Sequence, residues 1–225
     1  MSNLSAGALV LLAAWGTLTG MDLVTFPQAL LSRPLVACAG AGLILGDVQT
    51  GLRVGVVLEL FALDVLPVGA SRYPDYGPGA VAAVVLASGG PWVERLGIAA
   101  LFALGFAVLG GWSLIWLRQV NGRLIQQGAA GLAAGDPGAI AGIQLKGLAG
   151  DLVRSLGLSA VALILAQVLH PVLPGGPRFA LVTAAAVGAG VAAAAGGAIR
   201  AAGRGARLRW LVVGTGIGLI AAVLT

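Results

Sequence analysis

The chain has 225 residues, of which 59% are hydrophobic and only 9% charged. About a quarter of an ordinary soluble domain is charged, so this composition excludes a water-soluble fold; it also excludes disorder, which needs many charges and few apolar residues. A polytopic membrane protein remains, and the net charge of +5 reads as loop cations obeying the positive-inside rule, not as a footprint for nucleic acid.

A helix needs about 20 apolar residues to cross the hydrocarbon core. In chain order the candidate segments are Leu4–Gly20, Pro34–Gly46, Gly51–Ala70, Gly77–Gly90, Leu96–Leu117, Leu156–Leu169, Phe179–Ile199 and Leu211–Leu224. Only Gly51–Ala70, Leu96–Leu117 and Phe179–Ile199 reach full length; the others are short or interrupted by Gly, Pro or an acid. The expected fold is an all-α polytopic membrane protein, one domain over residues 1–225, with several transmembrane helices and short, broken or re-entrant segments. Broken backbone is tolerated at membrane depth only where it is buried in protein or lines a cavity. Transporters build substrate sites from such elements.

The least hydrophobic stretch, residues 119–154, carries Gln126, Gln127, Asp136, Gln144 and Lys146 among regularly placed Leu and Ile. It predicts interfacial helices lying along the membrane surface. No Lys or Arg precedes Arg33, so the charged region of a secretory signal peptide is missing and the first apolar segment is expected to be retained. Arg200, Arg204, Arg207 and Arg209 mark a cytoplasmic loop. Counting back puts Pro171–Arg178 outside and Arg118–Arg154 inside.

The acids carry the functional argument, because an ionisable side chain within a membrane segment costs several kcal/mol unless it faces a partner or a cavity. Glu94, Asp136 and Asp151 read as solvated loop charges. Asp22, Asp47, Glu59, Asp64 and Asp75 crowd into the first third of the chain. Glu59 has no base within a helical turn. Arg53, six positions back, lies about 600° of rotation away and so on the opposite face. Glu59 must be protonated, paired with a distant group, or facing a polar cavity. Asp64 lies about 140° round from it, so the two do not form a carboxylate pair; Asp64 either continues the helix or ends it before Pro67.

Asp47, between Gly46 and Thr50-Gly51, is placed to cap a helix opening at Val48. Asp22 precedes Pro27-Gln28. Asp75 sits in Arg72-Tyr73-Pro74-Asp75-Tyr76-Gly77-Pro78-Gly79, too rich in Pro and Gly to continue a helix. Such a break presents an acid, two tyrosines and free backbone groups together, which suits sugar hydroxyls and the apolar face of a sugar ring. His170 before Pro171 reads as a helix-terminal residue and Cys38 as a packing residue. A single Cys and a single His offer no disulfide or metal cluster, and no cofactor is expected.

The run Ser32-Arg33-Pro34-Leu35-Val36-Ala37-Cys38, then Gly42-Leu43-Ile44-Leu45-Gly46-Asp47-Val48-Gln49-Thr50-Gly51, continues through Val57-Leu58-Glu59-Leu60, Pro67-Val68-Gly69-Ala70 and the Pro74-Asp75 loop. Over residues 20–85 this string resembles the IIC membrane subunit of the mannose–fructose–sorbose class of phosphotransferase-system sugar transporters. The resemblance implies a bacterial inner-membrane, multi-pass subunit that pairs with a IID membrane subunit, the IIC–IID pairs assembling further among membrane lipid. Soluble IIA and IIB subunits would phosphorylate the sugar as it arrives inside, and IIC itself would carry no phosphorylated residue. Glu59 and Asp75 are the carried-over candidates for sugar binding, with Asp22, Asp64 and Gln28 beside them. Arg33, Pro34, Gly46, Asp47, Thr50, Gly51 and Gly69 belong to the motif framework. Two positions depart from the pattern: Pro67 stands where some relatives carry asparagine, and Arg72 where an apolar or small residue is usual. A transport-inactive or regulatory member of the family is the alternative.

Overall fold

The computed structural model describes residues 4–63, 72–173, 176–202, 209 and 213. Every regular element within these residues is helical. The helices are α1 (Ala6–Asp22), α2 (Pro34–Leu45), α3 (Val48–Ala62), α4 (Gly77–Ala87), α5 (Trp92–Gln127), α6 (Ala129–Ala133), α7 (Pro137–Leu169) and α8 (Pro177–Ala202).

Helix α4 is the centre. Every one of its residues is buried, and it packs on α1, α2, α3, α5 and α7. Apolar on all sides, it has no face to offer solvent. At 11 residues it is about 16 Å long, half of a bilayer core. An extended stretch, residues 72–76, leads into it. This is the broken element that the Pro-Gly run predicts, enclosed by protein as such backbone must be.

Among the described residues, three helices are long and apolar enough to cross a membrane: Trp92–Gln127, Pro137–Val172 and Pro177–Arg200. The expected Phe179–Ile199 segment is α8. The other two exceed their predicted lengths. No proline interrupts α5 between Trp92 and Gln127, so the helix runs on through the polar Asn121–Gln127 turns. Helix α7 begins at Pro137, with the exposed Asp136 side chain capping it by accepting from Gly138 N at 2.9 Å. The stretch expected to hold separate interfacial helices is therefore the ends of α5 and α7 joined by α6. At 36 and 33 residues the two helices span about 54 and 50 Å, well beyond a hydrocarbon core of about 30 Å. The predicted Gly51–Ala70 helix is described as far as Ala62, with Leu63 as its C-cap. Asp64, Pro67 and Gly69 lie outside the described residues, as do Arg204, Arg207 and nearly all of Leu211–Leu224.

The motif framework is a tight α2–α3 hairpin. Gly46 ends α2 in the left-handed conformation (φ 71°) that favours glycine. Asp47 then caps α3, its Oδ1 accepting from Thr50 N at 3.1 Å, as expected. A Cβ added at Gly51 would collide with the Cys38 carbonyl oxygen, and one at Gly55 would lie 2.9 Å from Leu35 Cα. The Gly51-x-x-x-Gly55 spacing is thus the contact face on which α3 meets α2, the close approach by which small residues drive association in lipid. Cys38 is fully buried at this contact.

A buried ion cluster closes the other side of the molecule. Arg154 on α7 donates from Nη1 to Asp75 Oδ2 (2.8 Å), from Nε to Asp151 Oδ1 (2.7 Å) and from Nη2 to the Gly20 carbonyl of α1 (3.0 Å). Nη1 also reaches Ser113 Oγ on α5 at 3.0 Å. Asp151 Oδ2 accepts in turn from the Thr25 hydroxyl at 2.6 Å. Reading Asp151 as a solvated loop acid and Arg154 as a loop cation is therefore corrected. Both lie on α7, with side chains 0% and 3% exposed. Their i, i+3 spacing puts them on one helix face, where each charge removes the other's reason to seek water.

Two pairs of variants test this packing. Gly51→Ala should cost about 1–3 kcal/mol through overpacking, read as a lower thermal unfolding temperature in detergent. Gly105→Ala, where nothing lies within 4 Å, should stay within about 1 kcal/mol of the unmodified chain. Arg154→Met should cost about 3–5 kcal/mol by leaving two buried carboxylates unpaired. Combining it with Asp75→Asn and Asp151→Asn should restore part of that loss in the same thermal assay.

Candidate functional site

Helix α1 ends at Asp22, and the Asp22 carboxylate shapes the loop beyond it. Oδ1 accepts from Ala29 N at 2.6 Å and Oδ2 from Ser32 N at 2.8 Å. These bonds gather the loop into a compact turn. Within it Gln28 (φ 58°) and Leu30 (φ 64°) hold left-handed backbone, uncommon for any residue with a Cβ and most of all for leucine. Strain of this kind persists where surrounding structure over-determines it, and it clusters at functional sites.

The turn delivers Arg33 to Glu59. The Arg33 guanidinium is ion-paired with Glu59 Oε1 through Nη2, and its Nε donates to the same oxygen at 2.7 Å. Glu59 Oε2 accepts from Leu35 N at 3.1 Å, in the first turn of α2. Of the three states open to Glu59 from the sequence, the structure shows pairing with a distant group. The pair is only partly covered, with side chains 31% and 20% exposed.

Against this loop lies the extended stretch before α4. Two glycines of α5 let it approach: a Cβ on Gly110 would sit 2.8 Å from Asp75 Cβ, and one on Gly111 2.6 Å from the Tyr73 carbonyl oxygen. The Asp75 amide is bonded to the Ala107 carbonyl at 2.9 Å. Asp75 turns inward to Arg154, while Tyr73 and Tyr76 face the other way, toward the loop.

Between loop and stretch is a cavity of about 340 Å³, within the roughly 300–1,000 Å³ range of small-molecule sites. Asp22, Gln28, Ser32, Arg33, Tyr73 and Tyr76 give it polar groups, with Leu23, Leu30 and Ala62 among its apolar walls. An acid, a guanidinium, an amide and a hydroxyl beside two aromatic rings can accept from and donate to hydroxyls while covering an apolar face.

The sequence-derived candidates divide accordingly. Asp22 and Gln28 line the cavity directly, and Glu59 stands behind its Arg33 wall. Asp75, at 1% exposure, is committed to Arg154 and supports the wall instead of forming it. Asp64 lies outside the described residues. Arg33, Tyr73 and Tyr76 are the wall residues that a search confined to acids passes over. The two tyrosines are legible as neighbours of Asp75, whereas Arg33 is visible only as a motif residue. His170 caps the end of α7, its Nε2 2.7 Å from an Arg95 nitrogen and 2.9 Å from the Ser88 carbonyl oxygen, consistent with a helix-terminal role. Among the described residues no group of three His, Cys, Asp or Glu could hold a metal ion.

Comparison with known proteins agrees with this architecture. The family model described as the sorbose-specific IIC component of the phosphotransferase system matches residues 6–211. The fructose permease IIC component of Bacillus subtilis (strain 168) is 32% identical over 168 residues, 75% of this chain and 59% of that protein. The sorbose-specific EIIC component of Klebsiella pneumoniae is 38% identical over 102 residues, 45% of this chain and 37% of that protein. The chain thus matches 37–59% of the length of these relatives. A cryo-EM structure of the mannose transporter ManYZ with microcin E492 superposes with a TM-score of 0.64 at 22% identity, covering 99% of this chain and 88% of that one, a likeness of fold. With the family model covering nearly the whole sequence, the chain belongs to the mannose–sorbose class of phosphotransferase-system IIC membrane components.

Proposed function

We propose that this chain is the sugar-translocating IIC subunit of a phosphoenolpyruvate-dependent permease of the mannose type. It binds a hexose-type sugar in the cavity between the Asp22 loop and the Tyr73–Tyr76 stretch, and delivers it for phosphorylation by a soluble IIB subunit that draws its phosphate from IIA. In this reading it sits in the bacterial inner membrane, and a IID membrane subunit supplies the partner surface, IIC–IID pairs forming the larger assembly.

The observation that carries the reading is the polar lining of the 340 Å³ cavity inside a fold whose core is largely Ala, Val and Leu. The lining has both signs of charge, Asp22 and Arg33, so it suits a neutral ligand with many hydroxyls better than an ion. The tyrosine rings add the apolar surface that a sugar ring covers.

Within this site Asp22 and Arg33 are the residues for hydroxyl recognition, and Glu59 acts through Arg33. The guanidinium, held at Nε and Nη2 by one carboxylate oxygen, keeps further N–H groups for a ligand. Asp75 positions Tyr73 and Tyr76 by fixing the stretch that bears them. Asp64 remains a substrate-binding candidate from its place in the sequence, and Gly69 a residue of the motif framework.

Membrane vesicles containing this chain with IID and IIAB partners should show phosphoenolpyruvate-dependent hexose uptake. Loss of a hydrogen bond to a charged group costs about 1.5–3 kcal/mol, so Asp22→Asn should weaken sugar binding by about 10- to 100-fold. Glu59→Ala should raise KM more than it lowers kcat, because it unfastens Arg33; unchanged uptake would remove Glu59 from the site. Partner co-purification without any sugar binding or uptake would favour a regulatory subunit instead.

A further inference from the structure

Three tryptophans on α5 mark out a membrane. At about 1.5 Å per residue, Trp112 and Trp116 lie about 30 and 36 Å along the helix from Trp92, and a hydrocarbon core is about 30 Å thick. All three rings are exposed, at 45% for Trp92 and 62% for the other two. Tryptophan gathers at both edges of a bilayer, and the exposed Leu101, Val108 and Leu109 between them suit lipid tails. Helix α5 therefore crosses the core between its tryptophans, and its last turns project beyond.

The cations tell the two edges apart. At the Trp112–Trp116 edge or past it stand Arg33, Arg72, Arg118, Arg123, Lys146 and Arg200. At the Trp92 edge stand Arg53, stacked on that ring at 4.8 Å, with Arg95 and Arg178. This bias makes the first edge the cytoplasmic one, where the leaflet carries anionic lipid.

At that edge α5 bears a groove of about 160 Å³, lined by Arg72, Tyr73, Pro74, Val108, Trp112 and Ile115 around Gly111. Gly111 receives the Tyr73 carbonyl, so Arg72 stands level with Trp112. Leu101, Val108 and Trp112 follow the heptad spacing of one helix face, which carries the apolar wall from the groove into the core. Arg72 is exposed, and among the described residues it meets no carboxylate, carbonyl or aromatic ring. Arg33, Arg118 and Arg154 are each held by a partner. The sugar cavity and both ion clusters leave Arg72 unused. A guanidinium at this depth reaches for headgroups, and its planar fork fits phosphate oxygens.

We propose that this groove binds one anionic phospholipid of the cytoplasmic leaflet. Its phosphate lies on Arg72, its glycerol region against Trp112, and an acyl chain along Val108 toward Leu101. One positive charge at the rim of an apolar strip, set at the edge of the core, matches a molecule with one negative charge above an apolar tail. The bound headgroup fastens the start of the stretch that carries Tyr73 and Tyr76.

The test uses the chain in mild detergent, alone and with its IID partner. It is titrated with dioleoylphosphatidylglycerol, or with dioleoylphosphatidylcholine, which has the same tails and no net charge. Native mass spectrometry reads the Kd of the first lipid bound. The anionic lipid should bind about fivefold tighter, the worth of one cation near an anionic surface. Arg72→Gln should bring the two lipids within about twofold of each other, while Arg123→Gln, a cation past the edge, should keep the preference. Trp112→Ala should weaken both lipids about threefold or more and preserve their ratio. Arg72 and Trp112 are exposed, so both variants should keep the thermal unfolding temperature; should one fail to fold, the other decides. A preference that survives Arg72→Gln overturns the site, and so does one lost equally in Arg123→Gln, which marks diffuse attraction. Unchanged lipid affinity in Trp112→Ala overturns it too. A preference that vanishes once IID binds overturns it as well, because this face is then a protein contact.

Discussion

One guanidinium holds one side of this molecule together. Arg154 touches α1 at Gly20, the stretch before α4 at Asp75, α5 at Ser113 and its own helix at Asp151 and Ser155. Through Asp151 it also reaches Thr25, in the loop after α1. Four segments that have no sequence proximity are thereby brought to a single point. In a bilayer, where lipid tails are as apolar as leucine, hydrophobic burial cannot supply that specificity. A fully desolvated charge can, because any other arrangement of the same helices leaves it unpaired.

The packing around this point depends on it. Helix α7 turns a stripe of Asp151, Ser155 and Ser159 inward, and α1 meets it with glycine. A Cβ on Gly20 would fall 2.9 Å from Ser155 Oγ, and one on Gly16 would fall 2.8 Å from Ser159 Oγ. Small against small lets the backbones close, and only then does the Gly20 carbonyl come within reach of Arg154. The abundance of glycine is thus distributed with purpose: on α1 it admits α7, on α3 it admits α2, and on α5 it admits the extended stretch.

Much of this architecture is legible in the sequence, and the part that is not has a physical reason. The solvent, the helical class, the break before α4, the Asp47 cap and the α2–α3 hairpin are local. Each depends on residues within a few positions of one another. Glu59 is legible as a charge needing a remote partner, but its partner is not, since Arg33 is 26 positions away and meets it only because the α2–α3 hairpin folds back on itself. Asp151 and Arg154 mislead because a pair of charges lowers local hydropathy whether it faces water or another charge. Only the i, i+3 spacing, followed by serines four residues apart, distinguishes a buried face from a loop. Helix ends in the 119–154 region are hidden for a similar reason: polarity marks where lipid ends, while proline and caps mark where a helix ends.

The two ion clusters differ in exposure, and that difference divides their duties. The Arg154 cluster is sealed, with side chains at 3% and 0%, so loosening it exposes desolvated charge to an apolar interior at a cost of several kcal/mol. Such a cluster cannot release a partner during a working cycle. Arg33 and Glu59, at 31% and 20%, are less enclosed, so their pair costs less to open than the sealed one. A guanidinium held that loosely can turn toward a ligand hydroxyl and return. The sealed cluster fixes the backbone that carries Tyr73 and Tyr76, and the open one presents a group that can move. Under the proposed function, binding a neutral sugar and then letting it go calls for both: walls that do not yield, and a polar contact weak enough to break.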